Sequence, residues 1–543
     1  MLSGNLSGVA NPVRPADQSP PTMSPSHLWH LAALFLPGLL LCGVVGVSAS
    51  ETAEIRTPPP PATPRINGPT VFGVRPGSPF LYRIPVTGDR PMTYAVDGLP
   101  AGLSLDANSG IITGRLAQPG EHAIVLRAQN AKGHAEKHFR IVCGEQIALT
   151  PPMGWNSWNC WAQAVDQDKV LRSARTLVSS GLVNHGWAYI NIDDTWQGER
   201  GGPHHAIQGN ERFPDMKRLC EEIHALGLKA GVYSSPWITT FAGFRGGSSD
   251  DSDGKWERLQ NYEPNKRLGR HSFAANDAAQ LGEWGFDYLK YDWAPNDVEH
   301  TKEMAVALRA TGRDFVLSLS CSTPIESIGE LSRWAQAWRT TGDIWDTWET
   351  PGPWQNSVSA IGFNQDGWTT FGGPGHWNDP DMLVLGYVGW GPQLHATRLT
   401  PAEQYTHISL WCLFSAPLLI GCDLERLDAF TLNLLTNDEV LALDQDPLGR
   451  SARRIATLGA IDVFRKELED GSSALGFFNR GDGPHTITAK LDRIGLGGRW
   501  LVRDLWSQTD AGVFENDLPV AVGPHDVMLY KLTAAMPAGA VSR

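Results

Sequence analysis

The chain has 543 residues, too many for one compact core and enough for several folded units. Hydrophobic residues make up 41% and charged residues 19%, an ordinary globular balance that speaks against a disordered or fibrous chain. The formal net charge of −13 speaks against a nucleic-acid partner, which would require a basic patch or stripe.

Residues 1–66 read as a leader followed by a linker. Leu31 to Val47 form an apolar run broken by Pro37 and Gly38, and Val47-Ser48-Ala49 resembles a signal-peptidase site. The run is short and interrupted, so no stable membrane span is expected after processing. A secreted or periplasmic protein is expected. Cell-surface anchoring stays open, because Leu39-Leu40-Leu41-Cys42-Gly43 has a weak lipoprotein-like pattern. No Lys or Arg lies between Arg14 and the run, and Met23 is an alternative start. Thr57 to Pro64 is proline-rich and predicts an extended, semi-rigid spacer.

Residues 67–145 predict an all-β unit. "FLYRIPV", "HAIVLRAQN" and "KHFRIVC" alternate apolar and polar residues at period two. "GLPAGLSLDANSGIITG" supplies turn signals at Pro100, Gly102, Asn108 and Gly110. The segment resembles the immunoglobulin-like β-sandwich common on exported microbial proteins, which implies a spacer or binding module and no chemistry.

Residues 146–448 alternate short apolar runs with amphipathic helices. Candidate strands are "PPMGWNSW", "WAYINIDD", "LKAGVYSS", "YLKYDWA", "FVLSLSC", "AWRTTGD", "GHWNDPDML" and "APLLIGCDL". A helix is predicted over Gln167 to Ser180, with Val170, Leu171, Ala174, Leu177 and Val178 on one face. "DMKRLCEEIHALG" is another, closed by Gly227. Eight strand–helix units over about 300 residues predict a (β/α)8 TIM barrel. Residues 449–535 return to β. "DVFRKELEDGSSALGFFNR" reads as a hairpin turning at Asp470-Gly471, and "VMLYKLT" as a last strand, together an antiparallel β-sandwich. The architecture expected is multidomain, an immunoglobulin-like sandwich, a barrel and a second β-sandwich, with a loose tail at the end.

Six cysteines outside the leader (Cys143, Cys160, Cys220, Cys321, Cys412 and Cys422) show no CxxC and no metal-ligand spacing. Mostly buried thiols, no metal and no cofactor are expected. The 21 Trp fit either sugar-stacking pockets or large cores.

Barrel active sites lie at the C-terminal ends of the strands. Those ends carry Trp158, Asp193 and Asp194, Tyr233, Lys290 and Asp292, Arg339 and Asp343, and Asp379 and Asp381. Packing needs Val, Ile and Leu there, so a rim of carboxylates with Lys, Arg and Trp points to a polar ligand. Glycoside hydrolysis needs two carboxyl groups flanking the scissile bond, about 5–5.5 Å apart when configuration is retained. Asp292 follows Lys290 on one strand face and is expected to stay ionised beside that cation, as a nucleophile must. Asp343, on the strand after next, would be the acid. Asp379 reads as a turn cap with Pro380, and His376 and Trp377 as wall or core. The acidic run "SSDDSDGK" reads as a solvated insertion loop.

"MGWNSW", "YINIDD", "LKYDWA", "WRTTGDI", "GHWNDPDMLVLG" and "DQDPLG", in this order, resemble glycoside hydrolase family 27, the α-galactosidases and α-N-acetylgalactosaminidases. The resemblance spans about residues 147 to 535. It implies a barrel with a C-terminal β domain, retention of configuration and no metal. By motif, the nucleophile falls on Asp292 and the acid/base on Asp343. The sugar contacts fall on Trp158, Asp193, Asp194, Tyr233, Lys290, Arg339 and Asp381. The substrates implied are terminal α-D-galactosides of oligosaccharides or polysaccharides. Asp194 and Lys290 suit the axial 4-hydroxyl, Arg339 the 2-hydroxyl and Asp193 the 6-hydroxyl.

The sequence departs from the family in two places. Thr195 and Ala294 stand where many members have cysteines beside the pocket. Ser320-Cys321-Ser322-Thr323 stands where α-galactosidases carry Cys-Glu-Trp near the sugar's 2-position. α-N-Acetylgalactosaminidase and β-L-arabinopyranosidase are therefore the alternative activities, and Asp193 speaks for a substrate that keeps its hydroxymethyl group. A non-catalytic sugar-binding protein would not need both Asp292 and Asp343.

Overall fold

The computed structural model describes residues 54–321, 323–350 and 355–535. The apolar leader, its Val47-Ser48-Ala49 site and residues 536–543 of the tail lie outside the described residues.

The N-terminal unit is the expected sandwich. One sheet holds Val71–Val74, Gly133–Cys143, Gly120–Asn130 and Thr93–Asp97, and the other Pro79–Arg83, Ile111–Arg115 and Leu103–Asp106. Alternation in these strands sends Phe80, Tyr82, Ile112, Ile124, Leu126, Phe139 and Ile141 into one core. The sandwich packs on loops that enter the barrel strands. Arg75 pairs with Asp314 at 3.2 Å, Arg83 donates to the Leu226 carbonyl at 2.8 Å, and Asn67 donates to the Asn184 carbonyl at 2.9 Å. This is the stability face of a barrel, opposite the reactive one. A cavity of about 300 Å³ lies at the junction, lined by Phe72, Tyr82, Tyr189 and Lys229.

The proline-rich segment is exposed over Pro58 to Ala62, but its leading end is docked. Arg56 pairs with Asp526 at 2.5 Å, and Thr57 exchanges hydrogen bonds with Asn433. The spacer therefore runs across the folded body instead of ahead of it.

All eight expected strands form. They are β1 (Met153–Asn156), β2 (Tyr189–Asn191), β3 (Lys229–Ser234), β4 (Tyr288–Asp292), β5 (Val316–Ser320), β6 (Ala337–Arg339), β7 (Trp377–Asp379) and β8 (Leu418–Ile420). Every pair is parallel, and the order runs β7-β6-β5-β4-β3-β2-β1-β8. Leu383, just past β7, donates to Leu419 at 2.8 Å and accepts from Gly421 at 3.0 Å, which closes the ring. The predicted helices stand at Gln167–Ser179, capped by Asp166, and at Met216–Ala225, followed by Gly227 in the left-handed region at φ +76°.

The C-terminal sheet orders Arg453–Leu458, Ile461–Glu467, Ser473–Asn479, Val527–Ala534, Trp500–Asp504 and Thr509–Phe514. Ser473–Asn479 is buried on both faces. Leu475 and Phe477 enter the sandwich core, while Ala474 and Phe478 pack on the barrel. The barrel side is the helix Pro401–Phe414, buried on nearly every face although it carries Glu403, Gln404, Thr406, His407 and Ser409. Thr400 and Glu403 close its start as a capping box.

Candidate functional site

Period-two alternation sends Tyr288, Lys290 and Asp292 of β4 into the barrel, and Leu289 and Tyr291 out to the helices. The register sets Lys290 beside Tyr233 of β3 and Asp292 beside Ser320 of β5. Close approach has its own demands. A Cβ on Gly231 would stand 1.9 Å from Asn191 Oδ1, so β3 needs glycine there.

The structure brings the expected residues to one mouth. Lys290 Nζ lies 2.8 Å from Asp193 Oδ2, and Asn156 Nδ2 donates to the same oxygen at 2.9 Å. Asp194 is 1% exposed. Its Oδ1 accepts the Thr195 N–H at 2.6 Å and its Oδ2 the Ala242 N–H at 2.9 Å. Arg339 Nη2 lies 2.9 Å from Asp381 and 3.2 Å from Asp343. Asp381 in turn accepts the N–H of Ile344 at 2.8 Å, fixing the loop that begins at Asp343. Asp292 Oδ1 and Arg339 Nε are buried with no protein partner, and so are left for hydrogen bonds from a ligand. Trp158 stands half-buried at the start of a short helix just past β1, its N–H held by Asn156 Oδ1 at 2.8 Å.

Burial governs the electrostatics. It pushes Asp194 and Asp381 up to about 6, and Asp292 to about 7. For Asp292, the Lys290 cation pulls the other way, while the charges of Asp343 and Asp193 add to the push. Lys290 favours the ionised form of Asp292, as the sequence suggests, but burial outweighs it. The ammonium is engaged at contact distance by Asp193, and the carboxyl of Asp292 has no hydrogen-bond donor on Oδ1. Burial pulls Lys290 down, but Asp193 and Asp292 more than reverse it, so the amine stays charged.

The remaining candidates take structural places. Asp379 Oδ1 accepts the N–H of Asp381 at 2.8 Å, the turn cap expected. Trp377 is buried and donates to the Ala148 carbonyl at 2.8 Å, and His376 stacks on Trp338 at 6.4 Å. In the acidic run, Ser248–Ser249 forms a buried strand, while Asp250 pairs with Arg267 at the surface. Cys143, Cys160, Cys220, Cys412 and Cys422 are free, buried thiols. Where family members have a cysteine, Thr195 is held instead by backbone bonds to Gln197, Asn210 and Arg212. Sequence reasoning missed Asn156 and Ser157, whose Oγ lies 2.9 Å from the Asp193 backbone N. Their polar side chains at the C-terminal end of β1 were the available signal.

Comparison with known proteins agrees with this geometry. Residues 150–263 and 266–446 match the family model "Alpha galactosidase A", and residues 458–532 "Alpha galactosidase C-terminal beta sandwich domain". Residues 63–144 match "Putative Ig domain". The chain is 35% identical to "Alpha-galactosidase 2" of Arabidopsis thaliana over 73% of this chain and 92% of that one. A crystal structure of a "putative alpha-galactosidase" from Bacteroides fragilis superposes with a TM-score of 0.78 at 32% identity, covering 89% of this chain and 99% of that one. "Alpha-N-acetylgalactosaminidase" of Gallus gallus is 32% identical over 71% of this chain and 94% of its own. The chain belongs to the alpha galactosidase A family of glycoside hydrolases.

Proposed function

We propose that this chain is an exported exo-glycosidase that removes terminal α-D-galactosyl residues with retention of configuration, Asp292 attacking and Asp343 serving as acid and then base. The observation that carries the reading is the pairing at one barrel mouth of a buried carboxyl, Asp292, with an exposed one, Asp343, ringed by polar groups open to a ligand. Export rests on the apolar leader and its Val47-Ser48-Ala49 site.

The galactose ring would lie with its apolar face toward Trp158. Its 4- and 6-hydroxyls would replace water on Asp193, Asp194 and Lys290, and its 2-hydroxyl would meet Arg339 and Asp381. Asp292 then attacks the anomeric carbon as Asp343 gives its proton to the leaving oxygen. In the second step Asp343 takes a proton from water, which opens the glycosyl ester and restores both carboxyls. A sugar lacking the axial hydroxyl would leave buried carboxylates unpaired, and that penalty is the source of selectivity.

A second reading has a specific observation behind it. Ser320 Oγ is buried without a hydrogen-bond partner and shares the register of Asp292, so it could accept or donate to a 2-acetamido group. Thr323 does not offer its hydroxyl, which donates to Asn296 Oδ1 at 2.7 Å.

Proton NMR of nitrophenyl α-galactoside hydrolysis tests the main reading. The α-anomer of galactose is expected first, and initial β-anomer would overturn retention. The ratio of kcat/KM on α-galactoside and α-N-acetylgalactosaminide decides between the two readings. A value above one is expected, and preference for the acetamido sugar would move the assignment to the second.

Asp292→Asn should abolish turnover and stabilise the fold at alkaline pH. The folded carboxyl titrates near 7, above its unfolded value of about 3.9, so its charging costs stability as pH rises through that window. Asparagine carries no such cost. Thermal unfolding at pH 8 should rise by about 2–4 °C, with the gain shrinking below pH 6. A variant less stable than the parent at pH 8 would contradict the electrostatic account. For the same reason, the acid limb of kcat/KM in the parent should lie well above an ordinary carboxylate value.

Asp343→Asn should lose about 100-fold or more on sugar leaving groups but far less on nitrophenolate, which needs little protonation. Azide should restore part of the rate by opening the glycosyl ester. Equal losses on both leaving groups would remove Asp343 from the acid role.

A further inference from the structure

The galactose site accounts for one side of the scissile bond, and the structure also holds a platform on the other. Burial alternates from Asp343 onward: Asp343 and Trp345 are exposed, while Ile344 and Asp346 are completely buried. Asp343 and Trp345 are thus both open to solvent, while Ile344 and Asp346 anchor the loop between and after them. Trp345 is 47% exposed and is the only aromatic side chain in the exposed class among the described residues.

It is also held still. Asp346 pairs with Arg398 at 2.6 Å and accepts its backbone N–H at 3.0 Å. Trp348, further along, is buried and stacks on His525 at 4.6 Å. The backbone N–H of Trp345 donates to the Asn356 carbonyl at 2.7 Å. An apolar side chain fixed in water by anchored neighbours contributes nothing to the core, and exposed aromatics of this kind mark binding surfaces.

A second indole joins it from the loop after β7. Trp390 lies with its ring centroid 6.2 Å from that of Trp345 and its plane inclined by 34°. Its backbone sits in the left-handed region at φ +51°, a costly conformation for a bulky residue. What holds it there is the segment carrying Trp158. The N–H groups of Gly389 and Trp390 both donate to the Asn159 carbonyl, at 2.9 and 3.0 Å. The backbone of the Trp390 loop is thus tied to the segment that carries Trp158, and its indole lies near Trp345, two residues after the carboxyl that would protonate the leaving oxygen.

We propose that Trp345 and Trp390 form the subsite for the leaving group, and that the leaving group it fits is a second pyranose ring stacked on the indoles by its apolar C–H face. This rests on the α-galactosidase reading above and adds the residues that would hold the leaving group. A lipid chain would need a broad apolar patch, whereas the other exposed large apolar residues among those described are single aliphatic side chains.

The experiment compares Trp345→Ala, Trp345→Tyr and the parent on two substrates. α-Galactosyl fluoride has no leaving-group ring and reports the galactose site and chemistry alone. An α-1,6-linked galactosyl-glucose disaccharide requires both sides. Trp345→Ala should lose about tenfold or more in kcat/KM on the disaccharide while staying within about twofold on the fluoride. Trp345→Tyr should recover most of the loss, which a merely structural role would not produce. Equal loss on both substrates, or no loss on the disaccharide, would overturn the subsite and leave the α-galactosidase reading intact. A parent enzyme inactive on the fluoride would instead overturn that underlying reading and the subsite with it. Trp390→Ala, read the same way, should show the same selective loss; proportional loss on both substrates would exclude it from the platform.

Discussion

The contact on which the site depends is the ion pair between Lys290 and Asp193 inside the barrel mouth, at 2.8 Å. Burial alone would pull the proton from an ammonium so deep, and the carboxylate of Asp193 at contact distance helps to hold it there. The pair spends the positive charge of β4 on β2. What remains around it is an excess of buried carboxyls, Asp194, Asp292 and Asp381, all pushed up by burial, with Arg339 as the other cation. Such a cluster is poorly solvated until a ligand rich in hydroxyl donors arrives. A sugar supplies those donors in a fixed geometry, so the electrostatic cost built into the apo site is offset only by the right ligand.

Holding such a cluster together requires a scaffold that cannot relax. The barrel supplies part of it through Ile, Leu and Val on the outward faces of its strands. The helix Pro401–Phe414 adds more, since it is buried between the barrel and the C-terminal sheet and its Trp411 indole donates to the Asp381 carbonyl at 2.6 Å. The C-terminal sandwich therefore braces the strand end that carries Asp381 and, through Ile344, the loop of Asp343. The immunoglobulin-like unit acts from the opposite face, on the loops before the strands, and contributes no residue to the site.

The fold was legible because parallel barrel strands are short apolar runs ending in polar residues, and each of the eight kept that pattern. The helix over Gln167–Ser179 was legible from its 3.6-residue period and its Asp166 cap. Site residues at strand ends followed from the barrel rule. Asn156 and Ser157 escaped because they serve Asp193, and polar side chains at a strand end do not by themselves separate a residue that orients another from one that is merely solvated. The ionisation of Asp292 was misread for a related reason. Lys290 is visible two positions away along the chain, but its engagement by Asp193 and the burial around Asp292 exist only in three dimensions. Trp345 was invisible in another way: the chain has 21 Trp, and nothing in the sequence separates the one that is exposed among the described residues from those that fill cores.

The two carboxyls differ most in their surroundings. Asp292 is 7% exposed, whereas the side chain of Asp343 is 64% exposed. On the proposed mechanism, burial suits the group that holds a covalent sugar, because it limits the access of water to the ester. It also strengthens every charge interaction felt by the developing cation at the anomeric carbon. Exposure suits the group that exchanges protons with a departing molecule and then with incoming water. Trp345, two residues further along the same loop, is likewise exposed. On the proposed mechanism, one strand end thus sets the buried half of the reaction and the next strand but one the open half, and the leaving group departs on the open side.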